Sequence, residues 1–370
     1  MTEKELLYYH PYHFDRQYNL KSYAKNEHDF YDLILGKHDV KYENGQSVHF
    51  RHNEHFSEKE KIDNQLTFST SSSWFGWFKG GQNIFAFTKE LLEMLQRTDV
   101  DDISIDSIKL PFNRIYISLR PLNLTLYKYF DEIIEGVYIY QNPHLAEGNT
   151  RIEMNFVGNF YKTHFENSQI NGLPKVYTGK FWSYDLFFSQ EHSIKTIKQS
   201  IEDELEDLKI EFEPDEKIGV LSNEQTIAFK NRKISFINDT IKLTINCLLY
   251  LSLPGDKKDI IQDFPKNLPH NFDRKLSFSK TKKEKNKIEA KIKSFGFSKI
   301  HFVGTTYKRN TNKDLGSNTV SPHWRRGHWR NQKFGENLSH SKLVWIMPTI
   351  VNKDKGEPTQ GHLYSVKQNS

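Results

Sequence analysis

The stretch SPHWRRGHWRNQKFGENLSHSKLVWIMPTIVN, residues 321–352, joins a dense cluster of Arg, His and Trp to an apolar run. Pro322 and Gly327 interrupt any helix in its first half, which predicts a shaped loop or a short irregular strand. The apolar run from Leu343 to Met347 ends at Pro348, and this pattern predicts a strand that anchors the loop in a core.

The cluster carries the side chains needed to bind an acidic partner. Arginine guanidinium groups fork onto phosphates or carboxylates, and tryptophan rings stack on bases or on peptide side chains. The first hypothesis is therefore binding of a phosphate-bearing or acidic partner, such as RNA or an acidic peptide. The candidate binding residues are Trp324, Arg325, Arg326, Trp329 and Arg330.

The histidines of the cluster support a second hypothesis, cleavage of RNA without a metal. His323 and His328 can act as general base and general acid while a neighbouring arginine stabilises the charged phosphate. Metal binding by this pair is not favoured, since their spacing of five residues places them on different helix faces and no carboxylate is near. The sequence thus predicts neither a metal nor a cofactor.

Four residues of the stretch are predicted to support the loop rather than to touch a partner. A glycine that interrupts any helix and a proline that ends the apolar run belong to this set. A buried tryptophan on the anchoring strand and a polar residue at its end complete the set. These residues are Gly327, Trp345, Pro348 and Asn352.

Composition indicates a folded protein with a strongly polar surface. Apolar residues make up 36% of the 370 residues and the mean hydropathy is −0.72, while aromatic residues reach 14%. Phe and Tyr therefore supply much of the core. No apolar run is long enough to span a bilayer, and the N-terminal MTEKELLYYHPYHF lacks the apolar centre of a signal peptide. The lone Cys247 suits a buried thiol, so we expect a cytoplasmic protein with no membrane partner.

The charge is unevenly distributed along the chain. Residues 251–370 hold 24 Lys and Arg against 10 Asp and Glu, whereas the chain as a whole has a net charge of only +5. A basic C-terminal part suits RNA, DNA or an acidic protein. Uneven histidine spacings within residues 1–60 argue against a metal site there.

The elements predict an α+β fold: an antiparallel sheet with flanking helices, a central apolar helix and a basic C-terminal module. Thr88 can cap a helix over Lys89–Arg97, and Pro254-Gly255 ends the apolar helix Ile241–Leu253. We predict an irregular extension over residues 1–60, an α+β domain over 61–253 and the basic module over 254–370. The expected strands of the sheet are Ile84–Phe87, Arg114–Leu119, Ile133–Tyr140, Arg151–Val157 and Phe181–Phe188.

A third hypothesis comes from Ser69-Thr70-Ser71, which resembles the strand motif of ADP-ribosyltransferases. It would make the chain a toxin-like transferase. The surrounding residues 66–82 are rich in Ser and Gly, which predicts a loop flanked by buried aromatic side chains.

The residues Pro322-His323 and Arg325–Trp329, followed by Trp345 and Val351-Asn352, resemble the C-terminal signature of the second family of type V-A anti-CRISPR proteins. LPFNRIYISL at 110–119, IIEGVYIY at 133–140 and LYLSLPG at 249–255 are similar to further strands and to the central helix of that family. The chain has Asn113-Arg114 where the family usually has Trp-Cys.

The resemblance implies a function in silencing a type V-A CRISPR effector nuclease. It implies recognition of the nascent N-terminal peptide of the effector and loss of the mRNA that is being translated. Together, the residues and the resemblance favour an anti-CRISPR-like or phage–host conflict protein that acts on RNA or translation. A metal-free ribonuclease and an ADP-ribosyltransferase-type toxin stay open as alternatives.

Overall fold

The computed structural model describes residues 6–24, 30, 38–41, 47–50, 70–125, 132–142, 150–160, 180–188, 195–211, 223–255, 258–307 and 323–351. Its helices are α1 His10–Tyr18, α2 Leu20–Tyr23, α3 at 70–79, α4 Lys89–Gln96, α5 Ile197–Glu211, α6 Asn223–Leu251, α7 Phe272–Phe278 and α8 Lys282–Ser294. In the part of the chain given above, no helix is both long and apolar enough for a membrane crossing.

Fifteen strands are described. They are β1 His38–Lys41, β2 Ser47–Phe50, β3 Ile84–Phe87, β4 Thr98–Asp99, β5 Arg114–Ser118, β6 Leu124–Thr125, β7 Glu132–Asn142, β8 Thr150–Phe160, β9 Lys180–Phe188, β10 Ile260–Asp263, β11 Ile300–Val303, β12 His323–Arg325, β13 Gly327–Phe334, β14 His340–Ile346 and β15 Thr349–Val351. The five strands predicted from the sequence are all present, with ends shifted by a few residues.

An eight-stranded main sheet runs in the order β10-β11-β3-β5-β7-β8-β9, with β6 beside β7. The α+β class is confirmed, but the expected antiparallel sheet is mixed, because β3 is parallel to both of its neighbours. Between β3 and β5 the chain passes through α4, and a crossover of this kind returns the next strand in the same direction. The sheet contains strands from both 61–253 and 254–370, and the domain boundary between them stays a prediction.

Helix α6 forms the centre of the larger core, as expected for the most apolar helix. Nearly every residue from Thr240 to Leu251 is buried, and Cys247 is among them, where burial raises the pKa of its thiol. The predicted start at Ile241 is wrong, since the helix is already formed at Asn223 and runs to Leu251.

The N-cap prediction for α4 is confirmed. The hydroxyl of Thr88 accepts a hydrogen bond from the backbone N–H of Leu91, and Leu91, Leu92 and Leu95 are fully buried. Gly136 of β7 lies at a shift in the pairing with β8. A side chain there would collide with the Tyr116 ring and with a backbone oxygen, which explains the glycine.

A second, aromatic core fills the opposite side of the sheet, where α1 and α3 contribute rings and α2 contributes Leu20. Residues 70–79 are helical, so the loop predicted for this region is wrong. Trp74, Trp77 and Phe78 recur at helical spacing, and this periodicity outweighs the Ser and Gly around it. Thr70 and Ser71 lie in the helix rather than in a strand, which removes the basis of the transferase hypothesis, while Ser69 lies outside the described residues.

A buried polar network fastens α1 to the main sheet. Glu135, which is 2% exposed, contacts His13 Nε2 at 2.5 Å and Arg120 Nη1 at 3.2 Å. One turn earlier, His10 Nδ1 lies 3.0 Å from the hydroxyl of Tyr138. Burial, with additional repulsion from His13 and Arg120, holds the pKa of His10 well below its ordinary value.

The buried His10 makes stability depend on pH. Its pKa is lower in the folded than in the unfolded chain, so between these two values only the unfolded chain gains a proton. Stability is therefore fully present above the unfolded pKa of about 6.5 and is lost as the pH falls below it. We expect His10→Phe, measured by urea unfolding, to reduce the stability lost between pH 7 and pH 5 by about 1–2 kcal/mol.

The control for this experiment is His328→Phe, which replaces an exposed histidine and should leave the pH dependence of wild type. An equal pH slope in wild type and His10→Phe would contradict the assignment. His10→Phe also removes the contact with the Tyr138 hydroxyl, so the stability of this variant at pH 7 falls by about 1 kcal/mol. The comparison therefore uses the pH dependence of stability and not its value at pH 7.

Candidate recognition surface

Residues 323–351 form a long two-stranded structure that we call the C-terminal ribbon. Its inner part pairs β12 with β15 and its outer part pairs β13 with β14, with the chain reversing at residues 335–339. Arg326 separates β12 from β13, and Met347-Pro348 separates β14 from β15. The first half of the stretch, predicted as a shaped loop or a short irregular strand, forms the two strands β12 and β13. The anchoring strand predicted after it is present as β14 and pairs directly with β13.

The ribbon is joined to the body of the protein along β4, which runs parallel to β13 and pairs Gly327 with Thr98. A Cβ atom at Gly327 would come within 2.7 Å of the Pro348 ring and 2.9 Å of the Ile346 carbonyl oxygen. The approach of these backbones therefore excludes a side chain. The structure places both Gly327 and Pro348 at this buried crossing.

Side chains alternate between two faces of the ribbon, as they must in an extended strand. The inner face includes Trp329 and Trp345, which are directly paired across the strands, with ring centroids 6.0 Å apart and nearly parallel. Trp345 also makes an edge-to-face contact with Tyr250 of α6 at 5.6 Å. Both indoles thus belong to the larger core.

A hydrogen-bonded relay fixes the inner face. Trp329 Nε1 donates to Asn246 Oδ1 at 2.7 Å, and Asn246 Nδ2 donates to the backbone oxygen of Thr98 at 2.9 Å. Trp345 Nε1 donates to the hydroxyl of the same threonine at 3.1 Å. The two hydrogen bonds of Asn246 are buried, and the bond from Trp345 to Thr98 is partly buried, so the buried amide has its partners.

Trp329 was predicted to stack on a partner, and the structure assigns it another role. Only 5% of the residue is exposed, and its N–H is consumed by Asn246. A ring held in this way is an anchor of the ribbon. The local sequence gives little warning, because an Arg/His-rich neighbourhood is typical of surfaces, whereas burial depends on α6, some eighty residues away.

The outer face of the ribbon is exposed and basic. His328 and Arg330 follow one another on alternate positions of β13, and both are exposed. Towards the turn, the ring of Phe334 lies 5.6 Å from that of His340, and Lys342 Nζ lies 5.3 Å from the same phenyl ring. Half-buried Val344 and Ile346 of β14 complete the face; their register partners are Arg330 and His328.

The remaining predicted site residues are placed as follows. Arg325 and Arg326 are exposed at the junction between the inner and outer parts of the ribbon. The backbone of His323 and Trp324 belongs to β12, but their side chains, like Asn352, lie outside the described residues. The catalytic pairing of His323 with His328 therefore stays a prediction.

Among the described residues, no group of three or more His, Cys, Asp or Glu side chains is arranged to hold a metal ion.

Several residues that form or support this surface were not predicted from the sequence. Asn246 lies within an apolar helix, where an isolated polar residue is a signal that a buried partner must exist. Phe334, His340 and Lys342 lie four to twelve positions beyond Arg330, the end of the Arg/His cluster, and only the pairing of β13 with β14 brings them to the same face. The alternation of side chains along the strands before and after Gly335 could have predicted that these residues share a face.

Removing the amide of Asn246 should destabilise the ribbon and the core together. In Asn246→Leu, the Trp329 N–H and the Thr98 carbonyl lose their partner in a dry environment, at a cost of about 1–3 kcal/mol each. We expect urea unfolding to show a loss of about 2–5 kcal/mol. Asn231→Leu changes an exposed residue of the same helix and should stay within ~0.5 kcal/mol of wild type; equal stability of both variants would contradict the relay.

Comparison with known proteins identifies the family. The model of the AcrVA2-like family, described as the anti-CRISPR type V subtype A2 family, matches residues 85–353. The crystal structure of AcrVA2 is similar with a TM-score of 0.39 and 13% identity, over 80% of this chain and 79% of that chain. No curated protein sequence matches. Since the family model covers most of the chain, from β3 through the ribbon, the chain belongs to the AcrVA2-like family of anti-CRISPR proteins.

Proposed function

We propose that this anti-CRISPR family member lowers the expression of a type V-A CRISPR effector nuclease by recognising the effector's nascent peptide on the translating ribosome. Family membership supports the anti-CRISPR function. The observation that carries the proposed recognition is the outer face of the C-terminal ribbon, where exposed cations lie beside exposed and half-buried apolar side chains.

The chemistry of this face suits a peptide with acidic and apolar side chains. Arg330 and Lys342 can pair with carboxylates, and Phe334 with Val344 offers apolar contact. A surface that binds only phosphates would gain little from aliphatic side chains. A mixed surface of this kind is typical of protein–protein contacts, in which apolar anchors are surrounded by polar residues.

The backbone of β14 supports the same proposal. Within the described part of the chain, β14 is the outermost strand of the three-stranded sheet β14-β13-β4. Its outer edge can therefore accept an extended peptide by backbone hydrogen bonds, with alternate side chains of the peptide contacting the outer face. A nascent chain is extended as it leaves the ribosome, so it needs no unfolding before it pairs.

The rigid mounting of the ribbon favours affinity. Trp329 and Trp345 hold the inner face in the core, so the outer face needs little ordering when a peptide binds, and the entropy lost on binding is correspondingly small. In this proposal the ribbon recognises the effector, and loss of the mRNA follows from recruited cellular factors.

Charge reversal on the outer face tests this function. We expect Arg330→Glu/Lys342→Glu to lower the affinity for a synthetic peptide of the effector's N-terminus at least about tenfold, or ~1.4 kcal/mol. Repression of a reporter that begins with the effector's coding sequence should fall in parallel. The control Lys109→Glu/Arg232→Glu makes the same change of charge at exposed positions elsewhere, and should bind and repress as wild type does.

The same reporter separates recognition from intrinsic catalysis. His328→Ala removes a predicted general acid or base but little of the binding face, so we expect repression within about threefold of wild type, a loss of under 1 kcal/mol. Abolished repression with peptide affinity retained would instead support the ribonuclease alternative. Unchanged affinity and repression in the Arg330→Glu/Lys342→Glu variant would remove the ribbon from the proposed function.

A further inference from the structure

A second basic surface is formed by residues 264–297, which precede the C-terminal ribbon in the sequence. We call these residues the basic helical hairpin. These residues contain α7 and α8 and hold ten Lys and Arg against three Asp and Glu. Buried Phe264, Leu268, Phe272 and Ile292 form a small core of their own beneath the two helices. The hairpin is therefore a folded element, and its charge is displayed in a defined geometry.

The main sheet holds this hairpin in place. Strand β10 ends just before it and β11 begins just after it, and these two strands are antiparallel neighbours in the sheet. At the start of α8, the hydroxyl of Thr281 accepts from the backbone of Glu284, and the Glu284 carboxylate accepts from the backbone of Thr281. This capping box fixes where the helix begins.

Three lysines are aligned along one side of α8. Lys283, Lys287 and Lys291 recur every four residues, so they stack above one another at intervals of about 6 Å. All three are exposed, and within the described part of the chain none forms an ion pair, in contrast to Lys299, which lies 3.1 Å from Glu289. Like charges at this spacing destabilise a helix, so a polyanion that binds them would relieve the repulsion.

Exposed aromatic rings accompany these cations. Phe278 at the end of α7 is 70% exposed, and the guanidinium carbon of Arg274 lies 5.6 Å from its ring. Phe295, just after α8, is 41% exposed, and the ring of His270 lies 4.6 Å from it. Phe295 makes an edge-to-face contact with the buried Phe272 of the small core at 5.5 Å, so folding accounts for part of its position. Phe278 lies outside the small core, and folding does not explain its exposed ring.

The backbone beside these rings is strained. Asn267, His270 and Asn271 all adopt the left-handed conformation, with φ of 63°, 57° and 55°. Asparagine and histidine occupy this region more often than other non-glycine residues, but each residue held there still costs about 1–3 kcal/mol. The strain places the exposed His270 ring against Phe295, and strained residues of this kind concentrate at functional sites.

We propose that the basic helical hairpin binds single-stranded RNA. Flexible lysines contact phosphates as point charges, and exposed Phe278 and Phe295 can stack on unpaired bases. Stacking of this kind requires a single strand, because the bases of a duplex are already stacked. The choice of RNA over single-stranded DNA rests on the proposed function, since an mRNA lies beside the nascent peptide.

The packing of α8 argues against a membrane as the partner. An interfacial helix inserts its apolar face into the lipid. In α8 that face is already used, since Ile292 is fully buried and Ile288 packs against the same small core. The side of α8 that is open to a partner is lysine-rich throughout, which suits a polyanion in water.

Fluorescence anisotropy with the full-length protein tests the proposal. The probe is a labelled, unstructured RNA of about 20 nucleotides, longer than the ~4–16 nucleotides that one single-strand-binding domain covers. We expect Lys283→Glu/Lys287→Glu/Lys291→Glu to weaken RNA binding at least about tenfold and to reduce the slope of log affinity against log salt by about 2. The control Lys79→Glu/Lys109→Glu/Lys198→Glu should weaken binding less than about threefold.

A second variant tests the stacking separately. Phe278→Ala changes an exposed ring, so the fold should be unaffected, and we expect RNA affinity to fall about fivefold or more with an unchanged salt slope. Same-sequence DNA, an RNA duplex and poly-glutamate serve as competitors. Equal loss in the two lysine variants, or equal competition by the duplex or by poly-glutamate, would overturn the proposal.

The outcome is independent of the ribbon. Arg330→Glu/Lys342→Glu should keep at least about half of the wild-type RNA affinity, because its charges lie outside the hairpin. Absent RNA binding with intact peptide binding and repression overturns the hairpin proposal alone. Retained RNA binding that depends on the α8 lysines, with no recognition of the effector peptide, overturns the proposed function alone.

Discussion

The hydrogen bond from the indole of Trp329 to the buried amide of Asn246 is the contact on which the arrangement of this protein depends. It links the C-terminal ribbon to the central helix α6, and the same amide reaches the backbone of Thr98 in β4. A buried amide without partners would be costly. The ribbon, the helix and the end of α4 are therefore fixed relative to one another by a single set of mutually required partners.

This relay gives the family-specific stretch two functions at once. Strand alternation sends Gly327 and Trp329 inwards and His328 and Arg330 outwards. The inward residues are required by packing, since a Cβ at Gly327 would strike the neighbouring chain. The outward residues meet no such demand from the fold, and their charge is available for a partner. A surface held by the buried Trp329 and the half-buried Trp345 is rigid, which suits recognition.

The two proposed surfaces differ in chemistry, and this difference suggests a division of tasks. The outer face of the ribbon mixes cations with aliphatic and aromatic side chains, as a peptide requires. The basic helical hairpin displays aligned lysines and exposed phenyl rings, as a single strand of RNA requires. A protein that binds an mRNA and the emerging peptide at the same time would need both kinds of surface. Such binding would not require a catalytic site.

The sequence by itself determined the local elements. The Thr88 cap of α4 was correctly predicted from the sequence, because its contacts lie within a few residues. The apolar run of α6 and the alternating strands followed from periodicity. The loop predicted for residues 70–79 is wrong, because the helical spacing of the aromatic residues outweighs the Ser and Gly around them.

Only the tertiary structure decided the rest. The parallel partners of β3, the burial of Trp329 and the meeting of Phe334, His340 and Lys342 on one face depend on contacts between distant segments. Sequence periodicity shows that a residue has an apolar neighbour or a polar one, but it does not show which segment supplies it. An Arg/His/Trp cluster therefore predicted a surface, and packing against α6 decided which of its residues form that surface and which hold it in place.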